Sequence, residues 1–488
     1  MAWTHAAALA FSLLLAGTVG AGVGSAQGTV DDHVRLETGA TADWGGGEYV
    51  ALNMTRNGTL AFFGVLYGTP EHPNHILLIS AYIQFLGAAE LRDAHGGYMG
   101  TVPIPVLTVH AQALGFLAEF RDVGVPTLGG EPRGAGNGLF DFESNGGGIE
   151  DIDLTATEPI YRAIDLKTGW DRSEIVEEDT NAHGKAWTFS LTATDLPYTR
   201  IWDNADPIAA EGRAGTEADG VLETASFVFH VGVDVSEANV QVPWYRVTLG
   251  PGGEVLASNE TGKRLYKGVG LDASFKYDHI LEGWDFTAQD EDSRLMLETF
   301  VVFGSFIPDL VQRWLDVEFG AGYADTLQVA EIETFTGGPE DLESVDDIPD
   351  DATLLTKDAI VFKDKWRKTG EVSWVSDVEV DGKRDTMVFQ VHAGEPDFDT
   401  RGDNDDGTFH GAVLVGGYIY PAGASLYHDP AFVSSAVLID LPTEFVLPVA
   451  LLVAAAAVAV SVTLATVALA VRTGRKQAVP IAPNYGRF

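Results

Sequence analysis

The sequence predicts a mainly β exterior segment followed by one transmembrane helix. Short runs of β-branched and aromatic residues, separated by glycine, recur from position 28 to position 443. Helical periodicity is scarce over the same length, whereas 445–471 is a single uncharged apolar run. We therefore expect two or three antiparallel β-sandwich domains in an ectodomain, plus one C-terminal transmembrane helix.

Apolar segments near both ends of the chain predict how it is exported and anchored. Residues 1–26 predict a signal peptide, with an apolar segment and then the small residues Gly24 and Ala26 at the cleavage site. Only His5 supplies charge before the apolar segment, so an uncleaved anchor is the alternative. The run 445–471 spans a hydrocarbon core about 30 Å thick at about 1.5 Å per helical residue.

The charge on either side of this run predicts its orientation. Arg472, Arg475 and Lys476 follow it, and only Glu444 precedes it closely. The positive-inside rule then places residues 472–488 as a short cytoplasmic tail. The sequence thus predicts a single-pass type I protein of the cell membrane, with its N-terminal part extracellular.

Composition excludes several classes of function. The 488 residues include 71 acidic and 30 basic side chains, for a formal charge of -41, and there is no cysteine. This charge disfavours nucleic acid and anionic lipid as partners of the exterior part. Disulfides, thiol catalysis and cysteine zinc sites are excluded. Because molar salt shortens the Debye length to about 3 Å, the acidity also suggests a salt-adapted, archaeal surface protein.

The exterior segment divides into three predicted β regions. A first domain at 28–152 has nearly continuous apolar strands, and a central sandwich follows at 153–336. The acidic stretch at 337–351 predicts a linker, and 352–443 predicts a membrane-proximal β region.

Some local elements are predicted with more detail. The clearest hairpin is YRVTLGPGGEVLAS, and Asp381 with Gly382 predicts a second tight turn. The segment PDLVQRWLDVEF at 308–319 is the best helix outside the membrane run, with Trp314 and Leu315 near one face.

Three asparagines fit the pattern for N-glycosylation. They are Asn53, Asn57 and Asn259, in the triplets NMT, NGT and NET. A glycan needs an exposed loop in an exported chain.

One acidic loop is a candidate calcium site. The sequence EPDFDTRGDNDDGTFHG contains Asp397, Asp399, Asp403, Asp405 and Asp406. Calcium takes six to eight oxygen ligands, which closely spaced aspartates beside a glycine can supply. The spacing does not follow the EF-hand order, and a solvated acidic loop is the alternative. We expect no other cofactor.

Two short sequences combine aromatic, histidine and acidic residues. The first contains Tyr277, Asp278, His279, Glu282 and Asp285, and the second contains His428 and Asp429 after a tyrosine. In a strand, successive residues lie on opposite faces, so Tyr277 and His279 would share one face and Asp278 would take the other, and neither sequence forms a compact site alone. A buried structural motif is one interpretation, and a polar site is the other if the two sequences meet in space.

The function predicted from these features is adhesion, ligand binding or envelope structure at the cell surface, with an extracellular ligand or surface polymer as the partner. Catalytic and nucleotide-binding motifs are lacking, including the G-x-S-x-G, H-E-x-x-H and Walker patterns. The first alternative is a viral spike or fusion glycoprotein, with the apolar run 75–89 as a membrane-inserting loop. The second is an extracellular glycan-active enzyme that uses a carboxylate pair.

Overall fold

The chain is described here by a computed structural model. It covers residues 30, 34–40, 46–56, 59–122, 160–200, 216–287, 292–321, 323–327, 329–334, 339–342, 353–364, 368–393 and 408–439. Within these residues, strands dominate and form one curled sheet. The prediction of a mainly β fold is confirmed.

The strands are numbered in chain order. The first eleven are β1 Val34–Ala40, β2 Glu48–Arg56, β3 Thr59–Tyr67, β4 Leu77–Asp93, β5 Tyr98–Arg121, β6 Ile160–Asp165, β7 Asp171–Arg172, β8 Val176–Asn181, β9 Gly184–Arg200, β10 Thr216–Leu249 and β11 Val255–Glu282. The others are β12 Ser293–Ile307, β13 Val329–Thr334, β14 Pro339–Leu342, β15 Thr353–Lys363, β16 Lys368–Ser373, β17 Asp377–Val380, β18 Lys383–Thr386, β19 Val388–Ala393, β20 Thr408–Pro421, β21 Ser425–His428 and β22 Ala431–Ile439. Between β12 and β13 lie a helix, α1 Asp309–Glu318, and a short 3-10 helix, Tyr323–Thr326.

Strand pairing runs in a continuous circuit. Starting from β5, hydrogen-bonded neighbours follow in the order β12, β20, β19, β15, β16, β22, β11, β10, β9 and β6, and β6 pairs with β5 again. These pairs are all antiparallel. The sheet therefore curls until β6, at the end of this order, pairs with β5, at its start. One face of the sheet is turned inward.

The three predicted β regions share this sheet. Strand β5 of the first region pairs with β12 of the second, and β12 pairs with β20 of the third. The inward face buries one large apolar cluster that also draws on all three regions, and in it the Phe63 ring contacts the rings of Phe275 and Phe432. This cluster thus extends across the predicted boundaries.

Alternating burial along β10 follows the pattern that its sequence predicts. Phe227, Phe229 and Val231 are fully buried, whereas Val228 and His230 between them are partly exposed. One face of the strand therefore packs into the core, and the other meets solvent. The apolar run 75–89 forms most of β4, where Ile79 is 1% exposed, so the described structure places this run in the core.

A long hairpin of β10 and β11 extends beyond the rest of the circuit. The two strands pair from Thr224 opposite Glu282 to Leu249 opposite Val255, with register shifts after Trp244 and after Thr248. Helix α1 packs on this hairpin, because Trp314 contacts the Tyr245 ring at 4.8 Å and donates its Nε1 hydrogen to Ser258 Oγ at 2.9 Å. The predicted helix at 308–319 is confirmed, with Pro308 preceding its first turn.

The predicted tight turns are also confirmed. Asp381 and Gly382 have φ values of 51° and 71°, as the two central residues of a type I′ turn require. They join β17 to β18. The glycine-rich turn between β10 and β11 contains Gly253, with a φ of 82°.

Several predicted segments lie outside the described residues. They are the signal peptide 1–26, the transmembrane run 445–471, the tail 472–488 and most of the linker 337–351. Across the residues that the structure does describe, none of the helices has the length and apolar character needed to cross a bilayer.

Candidate functional site

The two sequences that combine tyrosine, histidine and aspartate meet in the fold. Strand β11 pairs with β21 so that His279 lies opposite His428 and Ile280 lies opposite Tyr427. Strand alternation then separates the polar residues into two groups, one on each face of the sheet. As predicted, Tyr277 and His279 share one face and Asp278 takes the other.

The inner group is a chain of hydrogen bonds through Tyr420. Its hydroxyl lies 3.0 Å from His279 Nδ1 and 3.1 Å from His428 Nδ1. His428 Nε2 lies 2.9 Å from the carbonyl oxygen of Val375. The side chains of His279, Tyr420 and His428 are all 0% exposed.

Hydrogen-bond logic fixes the proton positions in this inner chain. The Val375 carbonyl only accepts, so His428 carries its proton on Nε2 and its Nδ1 accepts from Tyr420. Because Tyr420 has one hydroxyl proton, its oxygen must accept from Nδ1–H of His279. His279 Nε2 is then a bare lone pair, and within the described residues it has no hydrogen-bond partner.

Burial keeps both histidines of this chain neutral. It lowers the pKa of His279 well below the usual value, and the neighbouring His428 lowers it further. Burial likewise lowers the pKa of His428 to about 4, against smaller opposing effects of the Val375 carbonyl and Asp278. The neutral forms at pH 7 agree with the proton positions above.

Aromatic rings enclose His279. The ring centroids of Phe227, Tyr277, Tyr418 and His428 lie between 5.2 and 5.6 Å from its own. This packing separates the inner chain from solvent, so it cannot meet an external substrate in this conformation. Its chemistry is that of an internal cross-link between β11, β20 and β21.

A second buried group continues the inner one. Tyr277 donates its hydroxyl to Gln112 Oε1 at 2.6 Å, and the Gln112 amide donates to Thr299 Oγ1 at 3.0 Å and to Tyr418 Oη at 3.2 Å. These residues come from β11, β5, β12 and β20. Side-chain hydrogen bonds therefore connect β11 across the interior with β5, β12 and β20.

The outer group is centred on Asp278. Its Oδ2 accepts from the Tyr427 hydroxyl at 3.0 Å and lies 3.4 Å from His230 Nε2, and its Oδ1 is 3.6 Å from Lys276 Nζ. Lys276 Nζ also contacts Asp429 Oδ2 at 2.8 Å. Tyr427, Lys276 and His230 are partly exposed, so this group forms a polar surface patch.

Electrostatics in the outer patch follow from its ion pairs. The hydrogen bond to Asp429 raises the pKa of Lys276, so its ammonium is held in the charged form. Burial, followed by the hydrogen bond to Asp278, raises the pKa of Tyr427. The patch therefore presents a fixed cation, two carboxylates and a phenol, which suits the binding of a polar ligand.

The other predicted members of the polar site lie elsewhere. Glu282 is exposed and pairs with Ser425 at the end of β21. Asp285 is exposed after the end of β11 and forms a 3.2 Å ion pair with Arg162. The structure thus brings five of the seven predicted residues together, in two groups, and leaves these two outside.

Sequence reasoning missed the partners on β5, β12 and β20. Tyr418 and Tyr420 alternate in GYIYP, which marks one face of a strand, but the sequence does not indicate which face is buried. Two buried acids were also missed. Burial raises the pKa of Glu119 and raises that of Glu298 well above the usual value.

The glycosylation candidates occupy different environments. Asn53 is 5% exposed on β2 and donates its amide to Glu37 Oε2 at 2.7 Å. Asn259 is exposed on β11, and Asn57 lies outside the described residues. Of the two described acceptors, Asn259 alone has the accessibility that a glycan requires.

The calcium candidates also lie outside the described residues, since Asp397, Asp399, Asp403, Asp405 and Asp406 fall between β19 and β20. In the part of the chain that is described, His, Asp and Glu side chains do not form any group of three or more suited to a metal ion.

No protein-family model matches the chain, and no curated protein is significantly similar to it in sequence.

Proposed function

We propose that the chain is a single-pass cell-surface protein whose β-rich exterior part acts as a rigid structural or adhesive module. The observation that carries this proposal is the position of the last described strand. β22 is held between β11 and β16 and ends at Ile439, a few residues before the apolar run 445–471. Only a few residues would thus connect a rigid sheet to its membrane anchor.

The apolar run supports the membrane anchor. It has the length of a spanning helix, and the basic residues after it agree with a cytoplasmic tail. The finer prediction, in which packed antiparallel sandwiches form the ectodomain, belongs to the same proposal. So does the export signal at 1–26.

The arrangement of polar groups supports binding or structure over catalysis. The inner histidines and tyrosines are buried and hydrogen-bonded to one another. Their imidazole and phenol groups are therefore not accessible for acid–base chemistry on a substrate. The outer patch around Asp278 and Lys276 is accessible and suits a polar ligand, such as an extracellular polymer. A glycan-active enzyme stays a prediction that no described contact favours.

The topology can be tested in intact cells. The full chain, tagged at its C-terminus, is expressed and the cells are treated with protease. We expect the exterior part to be digested while the tag stays protected, and a matched variant lacking 445–488 to appear in the medium. Protection of the exterior part in intact cells, or extraction of the full chain by alkaline carbonate, would contradict the proposal.

A viral spike or fusion protein is the second candidate function, and one observation favours it. The turns β4–β5 and β10–β11 lie side by side, since Asp93 of β4 is the register partner of Leu249 of β10. Beside these turns, Tyr98, Met99 and Leu256 are 62%, 59% and 52% exposed. Exposed apolar residues at adjacent turns can enter a target bilayer.

Lipid mixing tests this candidate. The full chain is reconstituted in one vesicle population and mixed with target vesicles. Fusion activity should depend on Tyr98 and Met99, so the changes Tyr98→Asp and Met99→Asp should abolish mixing, whereas Val176→Asp on β8 should not. The absence of mixing with the unaltered chain at neutral and acidic pH would reject the fusion function.

A further inference from the structure

Among the described residues, part of β11 forms an edge of the sheet. β10 pairs with one side of β11 along its length, but β22 pairs with the other side only from Gly268 onward. For residues 255–267, which we call the β11 edge, no described strand pairs with that other side. Most of their side chains are exposed. The edge is about 40 Å long at about 3.3 Å per residue.

The β11 edge is basic, although the chain as a whole is acidic. It contains three basic residues and one acidic residue, whereas the whole chain carries a net charge of -41. The register places Lys263, Leu265 and Lys267 on one face of the strand, opposite alternate residues of β10. Leu265 between the two lysines is 66% exposed, the highest value among the exposed large apolar residues.

The chain leaves the described fold beside this edge. Ile439 at the end of β22 pairs with Gly268, and β22 runs antiparallel to β11, so β22 ends at the Lys267 end of the edge and points toward its Val255 end. The apolar run begins at Phe445. Six residues of extended chain reach at most about 20 Å, so an anchored bilayer would lie within that distance of Ile439.

We propose that the β11 edge lies against the anionic headgroups of the bilayer that holds the C-terminal run. The proposal rests on the membrane anchor of the proposed function. Because the edge is about twice as long as the connection to the anchor, the hairpin must tilt toward the membrane plane to meet it. The leucine then enters the headgroup region, and the flanking lysines extend to lipid phosphates.

Two further features agree with this placement. The overall charge opposes contact of the acidic exterior with anionic lipid, but the local charge of the edge is positive. Asn259 pairs with Arg246 and so takes the opposite face from Lys263 and Leu265. A glycan on Asn259 would point away from the lipid.

The alternative occupant of an open edge is a second copy of the chain. Thr261 has no register partner on β10, and such bulges, together with edge lysines, discourage strand addition. Lipid contact uses the same lysines without requiring a partner strand.

Single cysteines test the proposal cleanly, because the chain has no native cysteine. The full chain is reconstituted in vesicles of phosphatidylcholine with or without phosphatidylglycerol, carrying lipid-attached quenchers. A fluorescent label is placed by Leu265→Cys, by Val176→Cys on the exposed strand β8, or by Ala457→Cys within the apolar run. Each is repeated with Lys263→Gln and Lys267→Gln together, and with the matched pair Lys383→Gln and Arg384→Gln on β18.

We expect the label at 265 to be quenched at least about twice as strongly as the label at 176 in anionic vesicles. The pair Lys263→Gln and Lys267→Gln should remove most of this difference, and the β18 pair should not. Quenching at 457 without quenching at 265 would overturn the edge contact and leave the anchor standing. Absence of quenching at 457 would overturn both.

Two other results would also reject the proposal. Equal quenching at 265 with and without phosphatidylglycerol would show that anionic headgroups are not recognised. Excimer emission from pyrene at 265, in place of lipid quenching, would assign the edge to a second copy.

Discussion

His279 and His428 face each other across the β11–β21 pair, and the hydroxyl of Tyr420 lies between their Nδ1 atoms at 3.0 and 3.1 Å. One phenol hydroxyl is therefore hydrogen-bonded to two buried imidazoles, which come from strands far apart in sequence. Because both rings are neutral and enclosed, the arrangement fixes the position of β21 against β11 and β20. Its role is in stability, and stability measurements can detect it.

Removal of the Tyr420 hydroxyl should destabilise the fold. Tyr420→Phe leaves Nδ1 of His279 and Nδ1 of His428 without their partner in a dry interior, which costs about 1 to 3 kcal/mol of unfolding free energy. Urea denaturation measures this loss. Tyr98→Phe is the control, since Tyr98 is 62% exposed and its loss should stay within about 0.5 kcal/mol. Equal losses for the two variants would contradict the internal cross-link.

The lowered pKa of His428 predicts loss of stability in acid. In the unfolded chain a histidine takes up a proton near pH 6.5, but in the fold its pKa is about 4. Between these values the unfolded state binds more protons, so the stability that is present above pH 6.5 falls as the pH falls toward 4. The difference corresponds to about 3 kcal/mol.

Unfolding midpoints at pH 7.5, 6, 5 and 4 measure this dependence. The variant His428→Gln retains an amide donor toward the Val375 carbonyl and does not titrate. Its stability should therefore change less than that of the unaltered chain between pH 6.5 and 4. Parallel pH profiles for the two chains would show that His428 is accessible to protons in the fold.

Glu298 predicts a pH dependence of the opposite sign. Burial raises the pKa of Glu298 well above the usual value, so the fold favours its protonated form. A raised pKa contributes stability that is fully present below the unfolded value of about 4.5 and is lost as the pH rises through the folded value. Glu298→Gln keeps a neutral side chain of the same shape.

This variant should thus gain stability relative to the unaltered chain as the pH rises from 4.5 to 8. Thermal unfolding at both pH values measures the gain. Glu282→Gln is the control, because Glu282 is exposed and should show no such change. If the gain were the same at pH 4.5 and pH 8, a protonated Glu298 would be ruled out.

The sequence predicts the local parts of this fold well and the long-range parts poorly. The turn at Asp381 and Gly382 and the helix around Trp314 depend on neighbouring residues, so local chemistry specifies them. The pairing of β5 with β12 joins residues far apart in sequence. Apolar runs show that strands are buried without showing which strands become neighbours.

The same limit applies to the candidate site. Alternation in the sequence correctly placed Tyr277 and His279 on one face of β11. It could not reveal that Tyr420 lies between His279 and His428, because that depends on the pairing of β11 with β21 and the packing of β20. Asp285 lies outside both groups for a simpler reason. β11 ends at Glu282, and strand alternation no longer applies beyond it.

The accessibility of the asparagines predicts which of them carries a glycan. Asn259 is exposed on β11, whereas the Asn53 amide is buried and donates to Glu37. In a host that glycosylates exported chains, we expect occupancy at Asn259 to exceed that at Asn53. Mass spectrometry of peptides from the mature protein measures both, with Thr261→Ala as the control that removes the Asn259 acceptor. Higher occupancy at Asn53 would mean that the glycan is added before β1 pairs with β2.

The acidic loop between β19 and β20 predicts binding of calcium. Asp403 and Asp405 lie among closely spaced carboxylates, and Ca²⁺ would relieve their mutual repulsion while taking six to eight oxygen ligands. Because β19 and β20 are adjacent antiparallel strands, an ion that joins the two ends of this loop should also stabilise their pairing. Calorimetry of the full chain should detect heat from Ca²⁺, and the melting temperature should rise with it. Both effects should disappear with Asp403→Asn and Asp405→Asn together, and should persist with Asp377→Asn and Asp385→Asn on the exposed β17–β18 hairpin. If both pairs of substitutions leave the same calcium response, the ion binds elsewhere and the loop is only a solvated connection.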